Sequence, residues 1–224
     1  MTREDLLAKN AAIVEGTCRV IKEKAGNAVV IVVTNPLDSM TWYAAKLLGF
    51  RLGRVFGMGV TLDAARFANL IGKAVGAPAT QVDAAVIGAH GEGMLPLSRF
   101  TRVAGKPFSQ IVPESDKREA LEKRTVERGK EIVSLLGSGS AYFAPSAAIC
   151  QIVKAVARDE QKLLAASCVL TGEYGLSDIS LGVPCVIGAN GIEKIIELDL
   201  NAAEQAVMKR SADSVRQLNN LLKI

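Results

Sequence analysis

Proton transfer near neutral pH asks for an imidazole, and His90 is the single histidine of this 224-residue chain. Its unperturbed pKa of about 6.5 lets it donate or accept a proton at neutral pH. It sits in VIGAHGEGMLPL (86–97), where an apolar run climbs into a bend flanked by Gly88 and Gly91. A strand ending in glycines can present a side chain at the carboxyl edge of a sheet, where α/β proteins place ligands, and lets a substrate come close. A histidine simply hydrogen-bonded at a turn fits the same stretch equally well. Asp63 and Arg66, three apart in LDAARF (62–67), share one helix face. A carboxylate can fix the tautomer of an imidazole and stabilise its charged form, and a guanidinium can clamp a carboxylate with two parallel hydrogen bonds. On spacing alone, a surface ion pair worth a few tenths of a kcal/mol is the plainer reading. Asn35, in VTNPLD (33–38), could donate to a substrate oxygen or form an ordinary Asn-Pro turn. Arg3 falls in a helix first turn that disfavours a cation, which suits an anionic visitor or plain solvation.

The elements that must carry these residues alternate at first. Residues 2–24 read as a helix, with Thr2 and Asp5 spaced as a capping box. AVVIVVTNP (28–36) reads as a fully buried parallel strand halted by Asn-Pro. A helix over 38–48 capped by Asp38 or Ser39, a strand at 54–59 and a helix at 61–76 follow. Strand–helix–strand–helix alternation predicts a parallel sheet with crossover helices. After residue 84 the character changes: strands within 81–91 and 97–108 with hairpin-type connections, and a charged helix over 115–136 stopping at Gly137. A helix from about Pro145 and strands at 162–175 and 183–197 come next. The last helix opens at Asn201, with Glu204 as its capping-box partner and Val207, Val215, Leu218 and Leu222 as its apolar stripe. The expected architecture is α/β: a parallel strand–helix piece over 1–84, the second half of a Rossmann-type sheet if it belongs to a nucleotide-binding domain, then an α+β domain over 85–224.

Composition narrows the function. With 49% apolar and 4% aromatic residues and a net charge of +4 without a basic block, the chain carries no nucleic-acid footprint. The four cysteines, Cys18, Cys150, Cys168 and Cys185, form no C-x-x-C pair and have one histidine to join them, so free thiols are expected and a metal site is not. The charged start MTREDLLAKN lacks a signal-peptide core, and no apolar run is long enough to span a bilayer. A cytoplasmic protein is the expectation.

MTREDLLAKNAAIV, VVTNPLD, GMGVTLDAARF, VIGAHGEGMLPLS, YFAPSAAI and GEYGLSDISLGVPCVIGANGIEKIIEL occur in this order along the chain. Together they resemble the NAD-dependent malate dehydrogenases of the lactate/malate dehydrogenase superfamily, over essentially the whole sequence. The resemblance implies that His90 is the acid–base, Asp63 its carboxylate partner and Arg66 the arginine gripping the substrate's C1 carboxylate. It implies that Arg3 is a mobile-loop arginine polarising the carbonyl, and that Asn35 contacts substrate and nicotinamide. Val33, Thr34 and Asn10 fall on cofactor-contacting positions, and Ser146 on a pocket-lining one. The implied cofactor is NAD, the implied substrates malate and oxaloacetate, and the implied assembly a homodimer or homotetramer.

No G-x-G-x-x-G follows a strand: LLGSGSAY (135–142) and FGMGVT (56–61) both fail. The family places that turn, the ribose-binding acid and a further substrate-reading arginine before the position of Arg3. An N-terminally truncated chain, with little activity of its own, is therefore the expectation. A fragment acting only beside intact subunits, and a dehydrogenase of lactate or another 2-hydroxy acid, are the alternatives.

Overall fold

The computed structural model describes residues 3–223, with side chains from Asp5 onward. Helix α1 (Arg3–Lys24) leads to strand β1 (Val30–Val32), helix α2 (Leu37–Leu48), strand β2 (Val55–Gly57) and helix α3 (Val60–Val75). β1 and β2 pair in parallel, Val30 opposite Val55 and Val32 opposite Gly57, as the alternation predicts. The run at 28–36 is shorter as a strand than expected and is not fully buried. Among the described residues β1 pairs on one flank only, Val30 and Ile31 are partly covered, and Val33 is 46% exposed. The α2 cap also differs from expectation. The residue before the helix is Pro36, joined to Asn35 by a cis bond and offering no side-chain acceptor, while Asp38 and Ser39 lie buried inside the first turn. The proposed Thr2 cap of α1 lies outside the described residues.

Beyond α3 the chain forms short strands and hairpins: β3 (Val82–Asp83), β4 (Val86–Gly88), β5 (Met94–Pro96), β6 (Arg102–Val103) and β7 (Lys106–Pro107). The short helix α4 (Phe108–Ile111) precedes α5 (Ser115–Leu136), which ends at Gly137 as expected, and α6 (Phe143–Ala157). The strands expected at 162–175 and 183–197 are three, not two: β8 (Lys162–Thr171), β9 (Ser177–Gly188) and β10 (Gly191–Ile195). Gly188 pairs with Gly191 across Ala189–Asn190, a two-residue hairpin turn that cuts the apolar stretch. Helix α7 (Ala202–Asn219) closes the chain, and Asn201 and Glu204 cap it reciprocally as predicted.

Among the described residues β1 and β2 are continued by antiparallel strands into one sheet of seven, in the order β1-β2-β8-β9-β4-β5 with β10 beside β9. β3, β6 and β7 form a separate small sheet. β9 is the seam, because Gly182 pairs with Ser167 of β8 on one side and Gly88 of β4 on the other. A Cβ at Gly182 would lie 2.5 Å from both Val60 methyls and 2.7 Å from the Gly88 carbonyl oxygen, so glycine is what lets α3 and β4 approach. The central core packs β8 and β9 against α6 and α7, including Ile152, Leu170, Ile179, Leu181 and Ile187. A second cluster joins α1, α2, β1 and β2, and its flank includes Leu218 and Leu222 of the predicted α7 stripe. A third seats α3: Phe67, fully buried one turn after Asp63, meets Phe108 edge-on with centroids 6.3 Å apart. Burial of such a ring stabilises by about 1.5–3 kcal/mol, enough to fix the rotation of α3 and hence the direction of Asp63. No helix among the described residues is long and apolar enough to cross a membrane.

Candidate active site

His90 follows β4, where Gly88 at φ +89° turns the chain out of the sheet, a backbone conformation that a side chain would strain. Three helices hold this bend. The Ala89 N–H donates to Ser211 Oγ of α7 at 2.8 Å, and the His90 N–H donates to Asp38 Oδ2 of α2 at 2.7 Å. The His90 ring meets Asp63 Oδ2 of α3 through Nδ1 at 2.6 Å. An ionised carboxylate only accepts, so Nδ1 carries the hydrogen, and Nε2 of the neutral ring is left as a base.

Asp63 is fully buried, and its Oδ1 accepts from Arg66 Nη1 at 3.2 Å. The i,i+3 pair is thus no surface ion pair: the side chains of Arg66 and His90 are 10% and 16% exposed. Arg66 Nε is buried without a partner among the described residues, and its Nη1 faces Gly129 of α5. A buried charged donor left open fits an anion with two oxygens. Burial pulls the His90 pKa down, but the charge and hydrogen bond of Asp63, with the charge of Asp38, outweigh burial and the nearby Arg66, so it rises above 6.5. Burial drives the Asp38 carboxyl up to about 6, against the lowering effects of its Ser167 hydrogen bond and His90.

His90 opens onto a cleft of about 640 Å³ whose wall includes Asn35, Leu6, Ser39 and Arg210. Asn35 is exposed just past the carboxyl end of β1, and its carbonyl accepts from Asn10 Nδ2 at 2.6 Å. Asn10 thereby ties α1 to the loop bearing Val33, Thr34 and Asn35. Arg3 begins α1, but its side chain lies outside the described residues. Ser146 is not brought to this cleft: it is exposed, and its hydroxyl donates to the Tyr142 carbonyl at 2.7 Å in the first turn of α6. Ser167, Ser180 and Ser211 are buried polar groups near His90 that motif reading passed over, and Asp38, read from the sequence as a helix cap, is buried with them. Lone serines inside the apolar strands β8 and β9 were the available sign.

The loop after β1 offers both apolar and amide surface to a cofactor. A parallel strand pair ends there in an exposed apolar Val33 beside the amide of Asn35, at the carboxyl edge where α/β sheets take ligands. Among the described residues no cluster of three or more His, Cys, Asp or Glu is placed to hold a metal ion.

Comparison with known proteins matches residues 1–57 to the lactate/malate dehydrogenase NAD binding domain. Residues 60–223 match the lactate/malate dehydrogenase alpha/beta C-terminal domain. A malate dehydrogenase of Roseiflexus sp. strain RS-1 is 44% identical over 215 residues, covering 96% of this chain and 69% of that protein. The malate dehydrogenase structure from Salinibacter ruber superposes with a TM-score of 0.94 at 40% identity, over 98% of this chain and 72% of that one. The lactate dehydrogenase of Cryptosporidium parvum, solved with lactic acid and NAD, gives a TM-score of 0.94 at 35% identity over 98% and 70%. This chain therefore belongs to the lactate/malate dehydrogenase family, whose N-terminal domain binds NAD.

Proposed function

We propose that the chain is a malate dehydrogenase that interconverts malate and oxaloacetate, with His90 as acid–base. One observation carries the reading: a fully buried Asp63 joins the cleft-facing imidazole to a guanidinium that still has an open donor. Neutral His90 accepts the malate hydroxyl proton at Nε2. Asp63 holds Nδ1–H and stabilises the imidazolium that results, acting through His90 as a positioning residue. Arg66 binds the C1 carboxylate beside the reacting carbon, and Arg3 closes on the substrate from the start of α1. The Asn35 side chain orients the substrate oxygen, while Val33, Thr34 and Asn10 form the cofactor-facing wall. NAD, when bound, supplies the hydride acceptor. In the reverse direction, protonated His90 donates to the carbonyl of oxaloacetate.

Malate is favoured over lactate by MTREDLL and YFAPSAA and by relatives named malate dehydrogenase. NADH formation by the purified chain with malate, lactate and other 2-hydroxy acids tests the reading, and malate is expected to react fastest. A preference for lactate would overturn the substrate. Neither NAD binding nor turnover with any acid would favour a fragment working beside intact subunits. We further infer a homodimer or homotetramer, supported by exposed Leu135 (79%) and Phe143 (82%) near the junction of α5 and α6.

A further inference from the structure

Among the described residues two buried carboxylates flank His90: Asp63 meets the ring, and Asp38 meets the main chain. Asp38, 5% exposed, takes the His90 main-chain N–H on Oδ2 and the Ser167 hydroxyl on Oδ1 at 2.5 Å. Ser167 Oγ lies 2.9 Å from Ser180 Oγ, and both serines are fully buried in the β8–β9 pair. Asp38 is not the cap of α2. Burying a carboxylate against apolar strands is costly unless donors converge on it, and an apolar residue would fill the space without that cost. Here both carboxylate oxygens have donors, and one donor belongs to the backbone of the proton-transferring residue.

We propose that Asp38 is a second carboxylate of the His90 site: a positioning residue that fixes the His90 main chain from α2 as Asp63 fixes the ring from α3, its charge adding to that of Asp63 in stabilising the imidazolium. This role rests on His90 as the acid–base and says which further group sets its proton affinity. The charged groups around His90 are Asp63 and Arg66 on α3 and Asp38 on α2. Arg210 of α7 lines the same cleft, and Glu92, on the loop of His90, pairs with Lys130 of α5. Next to Asp38, the Cys168 thiol is held neutral by its hydrogen bond with Cys185 and by burial. Asp38 is therefore a buried acid beside His90 whose carboxyl burial pushes up to about 6, and its charge is among the causes that raise the imidazole.

Because His90 is the single histidine, an untagged chain gives one imidazole signal by NMR. Its pH titration in wild type, Asp38→Asn and Ser167→Ala tests the proposal without requiring turnover. The wild-type curve is expected to have its main midpoint above 6.5 and a second inflection near 6, where Asp38 takes its proton. In Asp38→Asn the amide oxygen still accepts the His90 N–H. Its NH2 donates to Ser167 Oγ, whose hydrogen turns to Ser180, so position is kept and charge is lost. The main midpoint should then fall by about half a pH unit or more, and the lower inflection should vanish. Ser167→Ala keeps the carboxylate but removes a donor, and should move the lower inflection upward. Superimposable curves for wild type and folded Asp38→Asn would overturn the proposal. Should Asp38→Asn not fold, an unmoved lower inflection in Ser167→Ala would overturn it instead. A wild-type chain that neither bound NAD nor turned over any 2-hydroxy acid, yet still showed the Asp38-dependent titration, would count against the proposed function and leave the role of Asp38 standing.

Discussion

Replacing Asp63 by asparagine removes one charge from the centre of the site while keeping its shape. In the wild type the carboxylate is fully buried, 2.6 Å from the His90 ring nitrogen and 3.2 Å from Arg66. Unit charges about 4 Å apart at an effective dielectric constant of about 20 attract by about 4 kcal/mol. A hydrogen bond to a charged group contributes about 1.5–3 kcal/mol, and the two figures describe overlapping parts of one interaction. The imidazolium formed on malate oxidation should thus lose about 3–5 kcal/mol of stabilisation, equivalent to about 100- to 5,000-fold in kcat. The amide also confuses the tautomer: if its oxygen stays with Arg66, its NH2 faces His90 Nδ1 and drives the ring hydrogen to Nε2, abolishing the base. Steady-state kinetics of malate-dependent NADH formation, with a thermal melt to establish folding, would measure this. The loss should fall mainly on kcat, with a smaller rise in KM as Arg66 loosens. A folded variant within tenfold of wild-type kcat, or one losing only KM, would refute the assignment of Asp63 as the partner of a charge-developing His90.

The pH dependence follows from the raised His90 pKa. On the proposed mechanism malate oxidation needs neutral imidazole, so its kcat/KM should fall as pH drops through a midpoint above 6.5, while kcat/KM for oxaloacetate reduction falls as pH rises through it; a midpoint below 6.5 would contradict the site electrostatics. Folding stability should show the Asp38 contribution with the opposite sign to an ordinary carboxylate. Its pKa is raised on folding, so stability present below 3.8 is lost as pH climbs to about 6, worth about 3 kcal/mol at about 1.4 kcal/mol per pH unit. Thermal melts of wild type and Asp38→Asn should therefore diverge between those values in favour of the variant at higher pH, and parallel curves would refute the claim. Arg66→Lys keeps the charge but loses the planar fork, and should lower kcat/KM for malate by about 10- to 150-fold; an unchanged kcat/KM would place the carboxylate elsewhere. Gly182→Ala puts a methyl against the Val60 side chain and the Gly88 carbonyl, and should cost about 3 kcal/mol or more in chemical denaturation.

Helix ends with local chemistry were legible from the residues alone. Gly137 stopped α5, and Asn201 with Glu204 opened α7, because caps are settled by backbone groups within one turn. Asp63 and Arg66 could be placed on one helix face by spacing, and His90 at a glycine-flanked bend. Spacing could not say that the pair is buried, since that depends on α5 covering α3 and on Phe67 meeting Phe108. The apolar run at 28–36 read as a buried strand because hydrophobicity reports affinity for a core, not the number of neighbouring strands. Only tertiary structure showed that, among the described residues, β1 pairs on one flank with Val33 exposed. The convergence of Asp38, Ser167 and Ser211 around one bend joins residues more than a hundred positions apart, Asp38 with Ser167 and Ala89 with Ser211. The sequence by itself determined which side chains could exchange a proton and grip an acid. Tertiary structure decided that His90, Asp63 and Arg66 join in one largely buried chain of contacts, because desolvation and opposing charge arise only when distant segments close around the same few atoms.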